Sequence, residues 1–155
     1  MKLVSINPSK NYELLGEVAE TTEQEVLEKL KLARSVQKEW RDLGLPRRIE
    51  IMQDLCTSFE DNLEKIARLT SLEMGKPIVD SREDVTSGLE YLRSYLDSAE
   101  KALEAEITFE SDEEIHKVFY EPKGVVASII PWNFPFSNLI WQSCQNLIVR
   151  QYCFK

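Results

Sequence analysis

Apolar residues recur along most of this chain at helical spacing, and the spacing changes to strand-like in the last third. Val26, Leu30, Ala33 and Trp40 fall on one helical face behind Thr22 and Glu25, a capping-box pair, predicting an amphipathic helix to about Leu43. Gly44-Leu45-Pro46 ends that helix and starts another, with Pro46 suited to a first helical position. Ile49, Met52, Leu55, Phe59 and Leu63 continue at three- and four-residue spacing. A third stretch has Ile66, Leu69 and Leu72 as its stripe and stops at Met74-Gly75-Lys76-Pro77, a glycine followed by proline. From about Asp80 a long helix is predicted, with Val85, Leu89, Leu92, Leu96, Ala99 and Leu103 on one face.

Two short strands, Ser5–Ser9 and Leu14–Ala19, precede this helical layer as a hairpin. After it, Glu106 to Tyr120 alternates imperfectly, and His116–Tyr120 reads as a strand. Glu121-Pro122-Lys123-Gly124 is a turn. Val125 to Ile130 is then a nearly continuous apolar run, of the type buried on both faces of a parallel sheet. Pro131-Trp132-Asn133-Phe134-Pro135-Phe136 follows at its carboxyl end, where ligands bind in open α/β sheets.

Composition narrows the functional classes. With 155 residues, 43% hydrophobic and 30% charged, the chain matches one globular domain. A net charge of −8 repels phosphate backbones and anionic surfaces, which argues against nucleic acid and membrane surfaces as partners. No run approaches the roughly 20 apolar residues of a membrane helix, and no signal peptide is visible. Cys56, Cys144 and Cys153 lack metal-like spacing, and His116 is the only histidine, so no metal site is expected. A reducing cytoplasm is the compartment expected from this.

Glu121-Pro-Lys-Gly-Val-Val-Ala-Ser-Ile-Ile-Pro-Trp-Asn-Phe-Pro135 resembles the aldehyde dehydrogenase superfamily signature around its first nucleotide-domain strand. Upstream, Asn7-Pro8 and Gly16-Glu17-Val18-Ala19 resemble the family's opening hairpin, and Trp40, Arg47 and Arg48 fit its first helices. Glu73-Met-Gly-Lys-Pro77 is similar to its Glu-Thr-Gly-Lys-Pro. The resemblance implies an incomplete α/β fold: an N-terminal helical layer, a hairpin and the first strand or strands of a nucleotide-binding domain. The resemblance covers roughly Ile6 to Val149, and the domain it implies spans 1–149, with an oligomerisation-arm strand region at 117–124.

In that family a cysteine thiolate attacks the aldehyde and hydride passes to NAD or NADP. The resemblance places Asn133 as the side-chain donor to the resulting oxyanion. It places Ile130, Pro131 and Trp132 beside the nicotinamide-ribose end of the cofactor. Asn133 has a second reading as N-cap of the helix starting near Phe136. Glu73 to Pro77 reads mainly as a helix stop, Cys56 as core, His116 as structural or solvated, and Asp112-Glu113-Glu114 as solvated surface.

Beyond Val149 the family continues with Gly-Asn-Thr-Val and a ribose-binding lysine, whereas this chain reads Arg150-Gln-Tyr-Cys-Phe-Lys155. The codons CGG, CAA, TAC and TGT encode Arg-Gln-Tyr-Cys and, read one base later, Gly-Asn-Thr followed by Val. Residues 150–155 are therefore expected to be a divergent, frameshifted tail, and Lys155 is not assigned the lysine's role. The expected function is that of a dehydrogenase fragment, inactive alone because the cysteine nucleophile and the glutamate base lie beyond it. NAD(P) binding by the chain alone is not expected, nor is good solubility, since apolar surface is left uncovered. The substrate class, a small aliphatic aldehyde or semialdehyde, is a family-level expectation only. The alternatives are a partner or decoy that binds a full-length relative through the 117–124 strand, and an unrelated helical interaction protein.

Overall fold

A computed structural model describes residues 2–149 and 152–154, the last three by their backbone alone. Strands β1 (Lys2–Asn7) and β2 (Glu13–Ala19) form an antiparallel hairpin. Four helices follow: α1 (Glu23–Asp42), α2 (Gly44–Asp61), α3 (Leu63–Met74) and α4 (Ile78–Ala102). A second antiparallel hairpin pairs β3 (Glu106–Glu110) with β4 (Ile115–Val118). Strand β5 (Val125–Ala127) leads into α5 (Pro135–Leu139), a π-helical turn (Ile140–Cys144) and α6 (Gln145–Ile148). The backbone of β6 (Tyr152–Phe154) then lies parallel to β5, completing a strand–helix–strand unit. These are parts of an incomplete α/β domain.

The helix boundaries follow from local chemistry. Thr22 Oγ1 accepts from the Glu25 amide at 3.2 Å, and the Glu25 carboxylate accepts from the Thr22 amide at 2.7 Å. This reciprocal cap is worth about 1 kcal/mol. Gly44 takes φ +78° and separates α1 from α2, so Pro46 is the third residue of α2 rather than the first. Gly75 ends α3 at φ +70°, and an added Cβ there would lie 2.6 Å from Ser9 Oγ and 3.0 Å from Pro8 Cγ. The first hairpin thus docks on the end of α3, where Ser5 Oγ also donates to Glu73 Oε1 at 2.5 Å.

The core forms between α2, α3, α4 and the helix from 135 to 148. Val85, Leu89, Leu92, Leu96 and Ala99 are buried on α4, as their periodicity predicts. Met52 and Cys56 are buried on α2, which bears out the core reading of Cys56. On α3 the predicted stripe is rotated. Ala67 and Thr70 are buried with Ile66 beside them, while Leu69 is 52% exposed and Leu72 faces outward. The small side chains allow close approach to α4, and this packing outweighs the simple preference for burying leucine.

Two further expectations change. The antiparallel pair lies at 106–118, earlier than the expected 117–124, because Ser111-Asp112-Glu113-Glu114 makes the turn. Residues 119–124 follow β4 without entering a strand. The run from Val125 to Ile130 is not buried on both faces: its strand covers three residues, and Ile129 is 91% exposed. Helix α1 meets one side of β5, with the Gly124 Cβ direction facing Gln37 Nε2. Among the described residues only the backbone of β6 pairs with β5. The side chains of 150–155 and the placement of Arg150, Gln151 and Lys155 lie outside the described residues, so the divergent-tail expectation has no structural counterpart beyond the β6 backbone.

Candidate functional site

The Pro-Trp-Asn-Phe-Pro segment sits at the carboxyl end of β5 and turns into the helix that begins at Pro135. Two side chains from elsewhere, those of Asp84 and Lys76, fix that turn. The Asp84 carboxylate, buried on α4, accepts from the backbone amides of Phe136 at 3.3 Å and Ser137 at 3.1 Å. Ser137 Oγ donates back to the Asp84 carbonyl at 3.0 Å. The first-turn amides have no intrahelical acceptor, so a carboxylate from a neighbouring helix does the work of an N-cap. Lys76 Nζ donates to the Asn133 carbonyl at 3.3 Å, and its ammonium lies 4.6 Å from the Phe134 ring centroid. The Gly-Lys-Pro stretch, expected mainly as a helix stop, also reaches the signature loop.

Asn133 itself is exposed, and its Oδ1 accepts from Asn138 Nδ2 at 3.5 Å. That contact turns the oxygen toward the helix. Phe134 occupies the cap position of α5 with no side-chain capping bond, which corrects the reading of Asn133 as N-cap. Of the other expected site residues, Trp132 is 75% exposed, Pro131 is exposed and Ile130 is half-buried. All four therefore share one loop at the strand end, and three of them face open surface.

At its far end the helix is anchored as firmly. Trp40 Nε1 donates to the Leu147 carbonyl at 2.9 Å. Arg48, fully buried, donates through Nε to the Ile148 carbonyl at 3.1 Å and through Nη1 to the Arg41 carbonyl at 3.3 Å. A guanidinium at a helix C-terminus meets unsatisfied carbonyls and the negative end of the dipole. In the middle, Phe136 packs edge-on against Phe59 with centroids 5.1 Å apart. Its ring fills the space over Gly88, where a Cβ would lie 2.6 Å from Phe136 Cδ1. Asp84, Gly88 and Lys76 were missed as site-supporting residues; only Lys76 lay in a recognised motif.

Beside the loop, facing sides of α4 and the 135–148 helix enclose a cleft of about 520 Å³. Asp80, Glu83, Asp84 and Tyr91 line it from α4, and Phe134 and Trp141 line it from the opposite side. Tyr91 and Trp141 meet edge to face at 5.4 Å between centroids. Neither described cysteine reaches this region as a reactive thiol: Cys56 and Cys144 are buried, and burial pushes the Cys56 thiol up against the lowering influence of Arg93. Among the described residues no group of three His, Cys, Asp or Glu is placed to hold a metal, and no helix is long and apolar enough to cross a membrane.

A loop held at the carboxyl end of a parallel strand is the place where open α/β domains bind ligands. The sequence profile of the aldehyde dehydrogenase family matches residues 1–150, and the chain belongs to that family. It is 34% identical over 131 residues to aldehyde dehydrogenase B of Escherichia coli, covering 84% of this chain and 25% of that protein. It is 28% identical over 133 residues to a 1-pyrroline-5-carboxylate dehydrogenase of Staphylococcus saprophyticus, covering 86% and 26%. A mutant aldehyde dehydrogenase from Bacillus cereus superposes with a TM-score of 0.91 at 26% identity, over 99% of this chain and 32% of that one. PnpE in complex with nicotinamide adenine dinucleotide superposes at 0.89 with 27% identity, over 99% and 31%. The chain thus corresponds to an N-terminal portion of the family and spans about a quarter of the length of these curated relatives.

Proposed function

We propose that this chain supplies the oxyanion-binding loop and one wall of the cofactor site of an NAD(P)-dependent aldehyde dehydrogenase, and that it does not oxidise aldehydes alone. The observation that carries the reading is the loop at 131–135, held by Lys76, Asp84 and Asn138 with Asn133 exposed. An amide donor fixed before substrate arrives stabilises a developing oxyanion without reorganisation cost. When bound, the nicotinamide would accept hydride from the substrate carbon once a nucleophile has added to it. Asn133 would orient and polarise the carbonyl oxygen, while the cleft beside Phe134 gives the aldehyde its approach.

Ile130, Pro131 and Trp132 fit one side of a nicotinamide-ribose, since together they offer exposed apolar surface at the strand end. They do not fit the diphosphate. The segment after β5 is proline-flanked and lacks the glycine-rich turn whose amides cradle phosphates. Cofactor binding by these residues alone is accordingly absent in this reading. With both described cysteines buried, no thiolate among them stands near Asn133 to begin covalent catalysis.

The test has two arms. The purified chain, given aldehydes with NAD or NADP, is expected to show no turnover. In a chimera that joins residues 1–149 to the remaining part of a full-length relative, Asn133→Ala is expected to lower kcat roughly 10²- to 10³-fold. Turnover by the short chain, or a chimera indifferent to Asn133, would reject the proposal.

A second reading rests on the β3–β4 hairpin. Both strands are exposed along their length, with Ile107, Phe109, Ile115 and Val118 among the exposed apolar side chains. Open strand edges with apolar faces pair readily with another chain. In this reading the hairpin, including part of the 117–124 region, binds a full-length relative and the chain acts as its partner or decoy. Capture of an intact aldehyde dehydrogenase that is lost on Phe109→Lys would support it; no association would remove it.

A further inference from the structure

The Asn133 side chain has two ends of opposite chemistry. Its nitrogen donates and its oxygen accepts, so only one of its two orientations presents a donor to a negative oxygen. Lys76 and Asp84 hold the backbone around it, at the Asn133 carbonyl and at the amides of Phe136 and Ser137. Neither of those contacts acts on the side-chain amide. Asn138 does: its Nδ2 lies 3.4 Å from the Pro131 carbonyl and 3.5 Å from Asn133 Oδ1.

The helix places Asn138 for this. Its backbone amide donates to the Phe134 carbonyl at 2.9 Å, closing the first turn. Side chains on an α-helix lean toward its N-terminus, so this one points back over the loop. It is only 8% exposed, which leaves its amide little access to solvent.

The polarity of the contact follows from what each group is able to do. Pro131 has no amide hydrogen, and its carbonyl only accepts. Asn138 must therefore turn its nitrogen, not its oxygen, toward the loop. Beside that nitrogen an oxygen of Asn133 is attracted, whereas an N–H is repelled. Asn133 thus faces Asn138 with Oδ1, and its own nitrogen is directed the other way.

We propose that Asn138 is a positioning residue: it fixes which end of the Asn133 amide is presented, passing the polarity of the Pro131 carbonyl outward through two amides. The value of this for an oxyanion rests on the reading of Asn133 above, but the orientation itself does not. An amide free to rotate offers its oxygen to the developing charge part of the time. One held in this sense offers nitrogen before substrate arrives.

The test follows the Asn133 side-chain amide by NMR in the full chain carrying isotope-labelled asparagine. In the parent chain that amide is expected to be ordered, with an order parameter above about 0.6. Asn138→Leu keeps the volume and removes the donor, and the Asn133 amide should then fall below that value. Asn138→Asp keeps the shape but, once ionised, offers only acceptors. The Asn133 amide should then reverse, and its protons should move downfield as the introduced carboxyl ionises, with no such movement in the parent. Protonated, the same carboxyl again has an O–H to donate, and the parent state should return. The Trp40 indole N–H, bonded to the Leu147 carbonyl, reports that each variant stays folded. A mere staple for the loop would give equal loosening in both variants and no downfield movement, and that result would overturn the proposal. So would an Asn133 amide already mobile in the parent, even where a variant fails to fold. Because no turnover is read, failure here is distinguishable from failure of the Asn133 assignment, which is read in the kcat of the chimera.

Discussion

Trp40 Nε1 and the Leu147 carbonyl lie 2.9 Å apart across 107 positions of sequence, tying the end of α1 to the last turn of the signature helix. Arg48 seals the next carbonyl, that of Ile148. Replacing Trp40 by Phe keeps most of the ring and leaves a carbonyl without its donor, at an expected cost of about 1–2 kcal/mol. Arg48→Met removes two charge-assisted bonds from a fully buried site, with about 2–4 kcal/mol expected. Urea midpoints at constant m would measure both, and the double variant should lose less than the sum because the two donors hold one helix end.

Asp84 makes a sharper prediction about the loop. Asp84→Ala strips the acceptor from two first-turn amides and should destabilise by about 2–3 kcal/mol, while Asp84→Asn keeps one acceptor oxygen and loses about half of that. Hydrogen exchange at Phe136 and Ser137 should accelerate most. Unchanged protection there in Asp84→Ala would mean that the carboxylate does not cap the helix.

Gly88→Ala tests the seat of Phe136. The new methyl would fall 2.6 Å from the ring, so ring or helix must shift, at an expected 1–3 kcal/mol. The smaller Phe136→Leu in the same chain should recover part of the loss. An additive double variant would show that the two positions do not meet.

Glu64 and Arg82 supply a pH signature. The Arg82 guanidinium, through its hydrogen bonds, holds the Glu64 carboxyl below the usual glutamate range. A folded pKa below the unfolded value means that the pair's stabilisation is present above about pH 4.3 and is lost as pH falls through the folded value. Glu64→Gln should therefore lower Tm slightly at pH 7, and the difference from the parent should vanish in acid. High salt should shrink it at every pH, as for any exposed pair.

Cysteine reactivity separates burial from function. In a Cys153→Ser background, Cys56 and Cys144 should react with a thiol reagent on the order of tenfold or more slowly in the native chain than in denaturant. Fast native labelling of either would contradict their burial and reopen the question of a nucleophile.

The parts of the fold that sequence made legible are those set by neighbours a few residues away. The Thr22–Glu25 cap, the Gly75 stop, the first hairpin and the buried face of α4 are all local patterns. The rotated stripe of α3 was not legible, because it depends on how closely Ala67 and Thr70 let that helix approach α4. The exposure of Ile129 was equally hidden: an apolar run announces that it can be buried, while the number of neighbouring strands decides whether it is. The loop around Asn133 stood out by its composition, but its supports did not. Asp84 reaches it from 52 and 53 positions away and Lys76 from 57, and neither residue type signals such a partner.

The π-helical turn at Ile140–Cys144 sets a constraint that substitution experiments would not reveal. Buried residues on this helix recur every fourth position, at Phe136, Ile140, Cys144 and Ile148. On an ideal α-helix such a row drifts by about 40° per step, and one wider turn rotates it back. Deleting a single residue between 140 and 144 would leave a shorter helix of ordinary geometry. Its two ends would keep nearly the same relative phase, so that Phe136 could still sit over Gly88 while Leu147 and Ile148, drawn about 1.5 Å closer, faced Trp40 and Arg48. What the turn specifies is therefore the angular phase between two anchored ends, and one residue more or less is absorbed locally.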